Sequence, residues 1–152
     1  MPQSAGGQSW VFWSWSDASL RVHTIVTPGS PAVYTATFLA SPANVTAPSV
    51  LGVARGGAIL SADVGRWTGS SPILFSFQWR RCDRAGTGCV DISEATSATY
   101  ELGDADVGWT IRVVVTATNV VGSDAAASEP TERVKHDCRG PGCISTPPAP
   151  GG

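Results

Sequence analysis

The sequence is poor in charge, and above all in lysine. Only 14% of its 152 residues are charged, whereas roughly a quarter is usual for a soluble domain. Lys135 is the one lysine of the chain, and the formal net charge is −2. A nucleic-acid-binding domain carries a basic patch that meets the phosphates, so this composition excludes nucleic acid as an expected partner.

Long apolar runs and helical periodicity are also missing. No stretch approaches the ~20 consecutive apolar residues that a membrane-spanning helix needs, so the sequence predicts no membrane span. No window of about 11 or more residues repeats apolar residues with the 3.6-residue period of an amphipathic helix. The one helical feature that we expect is a single turn near Asp104–Asp106.

What the sequence does contain is small residues and strand formers. Gly, Ala, Ser, Thr and Pro make up about half of the chain, and there are six Trp and 16 Val. Disordered segments are poor in aromatic and β-branched residues, so this content predicts a folded chain. Apolar residues recur at every second position almost throughout, which is the period of a strand. The sequence therefore predicts an all-β protein.

The few charges are spread unevenly, which predicts more than one structural unit. Residues 1–54 contain only Asp17 and Arg21, whereas the charged fraction of the later part is ordinary for a soluble domain. Composition shifts and turn residues mark the boundaries. We predict a disordered N-terminus over 1–7, a partial β-module over 8–40, a linker over 41–47, a β-sandwich over 48–133 and a flexible Cys/Pro/Gly-rich tail over 134–152.

Alternating segments define the strands of both predicted units. Three of them, Trp10–Trp15, Arg21–Val26 and Val33–Phe38, predict a three-stranded antiparallel unit. Seven more, separated by Gly-rich and Pro-containing turns, predict the sandwich. They are Val50–Val53, Ile59–Ala62, Ile73–Arg81, Cys89–Ile92, Thr99–Glu101, Thr110–Asn119 and Ala125–Glu129.

Alternation also predicts the core of the sandwich. Phe75, Phe77 and Trp79 share one face of their strand because successive side chains point to opposite faces. Trp79 is expected to be the central buried anchor. The predicted core residues are Trp79, Phe77, Ile111, Val113 and Val115.

The four cysteines form two close pairs, Cys82/Cys89 and Cys138/Cys143, and three pairings are possible. Each pair brackets a turn, which favours local disulfides and an oxidising compartment. A zinc site with His136, Cys138 and Cys143 is the alternative, although zinc ligands usually come in more closely spaced pairs. The segment Met1–Gly7 has no basic start and no apolar run, so it is no signal peptide. We therefore expect an extracellular or cell-surface piece of a longer protein.

Several spaced motifs make residues 46–133 resemble a bacterial immunoglobulin-like repeat. They include Trp67-Thr68-Gly69, Phe77-Gln78-Trp79-Arg80-Arg81-Cys82 and the longest, Asp104-Ala105-Asp106-Val107-Gly108-Trp109-Thr110-Ile111-Arg112 with the strand that follows it. The resemblance implies an immunoglobulin-like β-sandwich over 48–133, with Trp79 buried, Asp106-x-Gly108 shaping a turn and often a hairpin pair of the Cys82/Cys89 type. It also implies a non-catalytic spacer, sometimes used for adhesion or ligand binding.

Residues 8–40 resemble the closing strands of another secreted bacterial β-module, which also occurs in sugar dehydrogenases. The matching stretches are Ser14-Trp15-Ser16-Asp17, His23-Thr24-Ile25 and Tyr34-Thr35-Ala36-Thr37-Phe38. Ala18-Ser19 replaces the usual Gly-Gly, and the earlier strands of the module are absent. The resemblance therefore implies an incomplete sheet with exposed apolar edges and with Trp10, Trp13 and Trp15 partly open.

Few residues offer chemistry. Trp109, Trp13 and Trp15 are the candidates for contact with a ligand, because an exposed Trp can stack on a sugar ring. Asp17 and His23 could in principle serve a Ser-His-Asp arrangement, but the chain has no G-x-S-x-G elbow. Asp104 and Asp106 are too few for a calcium loop, and turn capping explains them better.

These observations predict a non-catalytic structural or interaction module, a spacer or adhesive repeat of a secreted or surface multidomain protein, without a cofactor or metal. Its expected partners are neighbouring domains of the parent protein, and further a polysaccharide or another surface protein. The first alternative is a carbohydrate-binding accessory module that uses exposed Trp. The second is the C-terminal fragment of a secreted sugar dehydrogenase.

Overall fold

The chain is all-β, as predicted. The computed structural model describes residues 3–5, 8–25 and 29–137, and these contain twelve strands and one 3-10 turn over Asp104–Asp106. The strands are β1 (Gln3–Ala5), β2 (Gln8–Trp15), β3 (Ala36–Ala40), β4 (Ala43–Thr46), β5 (Ser49–Leu51), β6 (Ile59–Asp63), β7 (Arg66–Thr68), β8 (Leu74–Cys82), β9 (Val90–Asp91), β10 (Thr99–Glu101), β11 (Thr110–Thr118) and β12 (Ser123–Ala127).

The strands pair antiparallel in four sheets. A four-stranded sheet of order β12-β11-β8-β9 and a three-stranded sheet of order β10-β6-β5 enclose the core, and β4 pairs with β7. A separate three-stranded sheet of order β1-β2-β3 precedes them. This arrangement is that of a β-sandwich with an additional N-terminal sheet, and no helix in the described part of the chain could cross a membrane.

The core lies around the pairing of β8 with β11. These strands are in register along their whole lengths, with Trp79 opposite Val113. The Trp79 indole N–H donates to the Ser97 carbonyl at 2.8 Å, so burying the ring leaves no polar atom unpaired. The buried cluster consists of Leu60, Trp79, Leu102, Ile111, Val113, Val115 and Val134.

Four of the five predicted core residues belong to this cluster, and the fifth lies at its margin. Trp79, Ile111, Val113 and Val115 are fully buried. Phe77 is partly buried against the cluster, and Phe75 is 38% exposed. The face of β8 is therefore covered progressively toward its C-terminal end, which the period of two alone does not reveal.

The N-terminal sheet has three strands, but one of them is not the predicted one. β1 (Gln3–Ala5) pairs with β2, so the prediction of a disordered 1–7 is wrong for these residues. Arg21–Ile25 alternates like a strand yet forms none. A side chain holds the start of this segment instead. The Trp15 indole N–H donates to the Arg21 carbonyl at 3.2 Å.

The predicted linker over 41–47 is wrong, because it contains β4. Pro42 is buried and lacks an N–H, so the ladder with β7 begins only after it, at Ala43. The Asn44 side-chain amide donates to the Thr46 and Arg66 carbonyls at 2.9 and 3.3 Å, which ties β4 to β7. The chain thus enters the sandwich at Ala43, five residues before the start at 48 that the composition indicates.

The remaining predicted strands are present, most of them with shifted ends, and a third strand was missed besides β1 and β4. β12 begins at Ser123, two residues before the prediction, and β7 was not predicted. The single turn at Asp104–Asp106 is present as a 3-10 turn. The predicted flexible tail over 134–152 is wrong at its start, because Val134 belongs to the buried cluster and its N–H donates to the Trp109 carbonyl. The tail residues from 138 onward lie outside the described part of the chain.

Candidate functional site

The N-terminal sheet is joined to the sandwich by a cluster of hydrogen bonds that we call the junction: Ala40, Ser70 and Asn119. The Ala40 N–H donates to the Ser70 hydroxyl at 3.0 Å, and the Ser70 N–H donates to the Ala40 carbonyl at 3.1 Å. Ala40, the last residue of β3, is only 2% exposed. The end of the N-terminal sheet is therefore buried against the loop that follows β7.

Asn119 is the centre of the junction. Its side-chain amide donates to the Ala40 carbonyl at 2.7 Å and to the Ser70 carbonyl at 2.9 Å. Its side-chain oxygen accepts the N–H groups of Val121 and Gly122. Both N–H donors and both oxygen lone pairs of the amide group are therefore occupied, so Asn119 orders its own turn and both partners at once.

An aromatic face lies on the N-terminal sheet, formed by Phe12, Trp15 and Phe38. Phe12 and Phe38 lie directly opposite each other on β2 and β3, with ring centroids 5.8 Å apart. The Phe12–Trp15 centroid distance is also 5.8 Å. Residues three apart on a regular strand point to opposite faces, but an irregularity at Trp13 shifts the register between Phe12 and Ser14. This bulge brings Phe12 and Trp15 to one side.

The predicted ligand-contact tryptophans are not brought together. Trp13, 56% exposed, lies at the bulge, and Trp15 is half-buried in the aromatic face. Trp109 is 43% exposed but belongs to the sandwich, where its backbone pairs with Val134. The structure thus offers two separate places for stacking.

Asp17 and His23 do meet, but not as part of a triad. His23 Nε2 lies 3.2 Å from Asp17 Oδ2, and Nδ1 lies 3.1 Å from the Leu20 carbonyl oxygen. A hydrogen bond from Ser19, with His23 nearby, lowers the pKa of the Asp17 carboxyl. Both ring nitrogens face oxygen atoms of this loop, so neither is directed at a serine hydroxyl. The pair orders the turn after β2.

A second organising group is the buried carboxylate of Asp106. One oxygen accepts from Nε and Nη2 of Arg81 at 2.9 and 2.6 Å. The other accepts from the Tyr100 hydroxyl at 2.9 Å and from the Gly103 N–H at 2.8 Å. The partners belong to β8, to β10 and to the start of the 3-10 turn, so one carboxylate links both layers of the sandwich.

Asp104 and Asp106 differ in burial and in role. Asp106 is 1% exposed and fully hydrogen-bonded, whereas Asp104 is exposed. The described residues contain no group of three potential metal ligands. Asp106 shapes the turn before β11, and Arg81 of β8 is directed inward to it. Burial, together with Asp106, raises the pKa of Tyr100 to about 12.

The predicted disulfide between Cys82 and Cys89 is confirmed. Between the cysteines, the Asp83 carboxylate accepts the Thr87 hydroxyl at 2.7 Å and the Ala85 and Thr87 N–H groups. The bond to Thr87 lowers the pKa of Asp83. Cys138 and Cys143, and with them the zinc alternative, lie outside the described residues.

Sequence reasoning missed the junction altogether. Asn119 was included only as the last residue of a predicted strand, and the signal available was an Asn followed three residues later by Gly in a turn.

Compared with family models, with curated proteins and with solved structures, the chain matches none of them.

Replacing the buried carboxylate should destabilise the sandwich. We expect Asp106→Asn to lower the free energy of unfolding by about 3 kcal/mol, because it leaves Arg81 without its counter-charge in a largely buried site. Urea denaturation measures the change. Asp104→Asn is the matched control, since Asp104 is exposed on the same turn, and it should change stability by less than about 0.5 kcal/mol. Equal effects of the two variants would contradict this role of Asp106.

Stability should also fall at alkaline pH because of Tyr100. Its folded-state pKa of about 12 lies above the ordinary value near 10, so folding favours the protonated phenol. The resulting stabilisation is complete below pH ~10 and is lost as the pH rises toward ~12. Denaturation at a series of pH values measures the decline. The decline should be weaker in Tyr100→Phe and unchanged in Tyr34→Phe; the same decline in both variants would refute the assignment.

Proposed function

We propose that this chain is a non-catalytic spacer module that holds neighbouring parts of a longer secreted or surface protein at a fixed relative orientation. The observation that carries the proposal is the junction. A flexible connection between two β-units would leave their facing backbone groups to water. Here the end of β3 is buried, and Asn119 bonds the Ala40 and Ser70 carbonyls simultaneously.

The construction of the sandwich supports the same role. The Cys82–Cys89 disulfide closes the β8–β9 hairpin, and closing a loop of this size stabilises a fold by about 2.5 kcal/mol in the loop-entropy model. The Asp106 carboxylate fixes the opposite layer to β8. A disulfide supports an oxidising, extracellular location. We further propose that residues 46–133 are an immunoglobulin-like repeat, which the buried Trp79 between two antiparallel layers supports.

A second candidate function, neutral sugar binding, is favoured by one observation, the aromatic face. Regular pairing places Trp10 on the same side of β2 as Phe12. Trp10 is 37% and Phe38 42% exposed, and the only charges within residues 1–54 are Asp17 and Arg21. Exposed aromatic rings on a nearly uncharged sheet can stack on the apolar faces of sugar rings.

Hydrogen exchange at the junction tests the spacer. In Asn119→Ala we expect the Ala40 and Ser70 amides to exchange about tenfold faster, since losing ~1.4 kcal/mol of local stability changes an opening equilibrium tenfold. Rates are expressed relative to the Val113 amide of the core, which corrects for any global loss. Asn44→Ala also removes an amide group that bonds two carbonyls, and it should leave the junction rates unchanged. No acceleration in Asn119→Ala would overturn the rigid junction.

Affinity electrophoresis in gels containing neutral polysaccharides tests the second candidate. Retardation of the native chain should be lost in Trp10→Ala, because that ring borders the aromatic face, and kept in Trp109→Ala on the sandwich. The reverse pattern would place the sugar contact at Trp109, and no retardation of the native chain by any neutral polysaccharide tried would count against sugar binding.

A further inference from the structure

The chain that follows β2, residues 16–25, closes back on Trp15, and we call it the β2 loop. The Trp15 indole N–H donates to the Arg21 carbonyl at 3.2 Å. The rings of Trp15 and His23 meet edge to face, with centroids 5.7 Å apart, and His23 lies 3.2 Å from the Asp17 carboxylate. Residues 18–25 form no strand, so these side-chain contacts hold them to Trp15.

Both ring nitrogens of His23 face oxygen atoms. Nδ1 lies 3.1 Å from the Leu20 carbonyl oxygen, and Nε2 lies 3.2 Å from Asp17 Oδ2. A neutral imidazole has one N–H and one lone pair, so either neutral tautomer directs a lone pair at an oxygen. Nε2 is buried and makes no hydrogen bond, so its contact with Asp17 depends on charge and is not replaced by water. Only the imidazolium suits both contacts.

The charged groups around His23 make the ring the titrating member of the β2 loop. β2 and β3, the strands beside the loop, contain no charged or titratable residue, and the loop itself adds Asp17 and Arg21. Asp17 faces the ring, and a hydrogen bond from Ser19 lowers the pKa of its carboxyl, so Asp17 is ionised near neutral pH. An imidazole is the side chain whose charge ordinarily changes between about pH 5 and pH 8.

Closing the β2 loop also strains its backbone at one residue. Ala18 has a φ of 57°, in the left-handed region, which is unfavourable for a residue with a Cβ atom. The turn is kept because the Ala18 N–H donates to the Trp15 carbonyl and the Asp17 carboxylate accepts the Ser19 N–H. A strained turn that is held by a titratable contact can change between a closed and an open form.

We propose that the β2 loop is a pH-sensitive latch on Trp15, closed while His23 is protonated and open when its ring is neutral. In the closed form the contact between His23 and Asp17 offsets the strain at Ala18 and keeps the Trp15 indole bonded to Arg21. Loss of the proton removes the ionic contact and turns a lone pair toward an oxygen, so the loop opens and exposes the indole. The proposal does not depend on the spacer function or on sugar binding.

Water-exchange NMR of the indole N–H groups of the full chain tests the latch. The exchange rate of Trp15 is divided by that of Trp67, a half-buried tryptophan of the sandwich whose indole N–H also donates to a backbone carbonyl. This ratio removes the intrinsic effect of pH on exchange and reports any global unfolding. We expect it to rise about tenfold between about pH 5 and about pH 8, as for loss of a charge-assisted contact.

The two histidines of the sequence supply the variant and its matched control. His23→Gln should show the high ratio already at low pH and lose the pH dependence. His136→Gln removes the other histidine, which is exposed beyond the sandwich core, and it should keep the native dependence. A ratio that does not change with pH in the native chain, a dependence that persists in His23→Gln, or one that disappears in His136→Gln would each overturn the latch.

A second variant tests the strain and leaves the ionic contact in place. Glycine adopts a positive φ without steric cost, so Ala18→Gly should favour the closed loop and lower the exchange ratio at high pH about threefold. An unchanged or higher ratio in Ala18→Gly would contradict a closed form that is strained at this residue.

Discussion

The whole arrangement depends on one side-chain amide, that of Asn119. Its two N–H groups bond the carbonyls of Ala40 and Ser70, which lie far apart in the sequence, and its oxygen accepts the backbone of the following turn. A buried carbonyl that loses its donor costs about 1–3 kcal/mol. Without Asn119 the N-terminal sheet and the sandwich would keep the two hydrogen bonds between Ala40 and Ser70 but would lose the amide that bonds both carbonyls. With it, they share one buried boundary.

Within the sandwich, the Asp106 carboxylate links separate segments of chain as Asn119 does at the junction. It is fully buried and takes four hydrogen bonds from three segments of chain. Such a group contributes to specificity as much as to stability, because only one packing of the layers satisfies all of its oxygen lone pairs. The apolar cluster around Trp79 supplies the burial, and Asp106 selects the register in which that burial occurs.

The sequence predicted local properties well and long-range ones poorly. The alternation that places Trp79, Val113 and Val115 in the core is read within one strand, and the Cys82–Cys89 hairpin spans only a turn. The failures have a shared cause. Each depends on partners that are distant in the sequence. Such partners decide whether Arg21–Ile25 forms a strand, whether Ala43–Thr46 is a linker and which groups Asn119 bonds. The bulge at Trp13 likewise cannot be read from a period of two, and it determines which aromatic rings share a face.

If the junction is rigid, the N-terminal sheet and the sandwich tumble as one body. Measurement of ¹⁵N relaxation on the full chain tests it most directly, by comparing amides of β2 such as Val11 with amides of β11 such as Val113. A rigid junction predicts one common rotational correlation time for both strands in the native chain. A distinctly shorter time for the β2 amides would show independent motion and would contradict the proposed spacer.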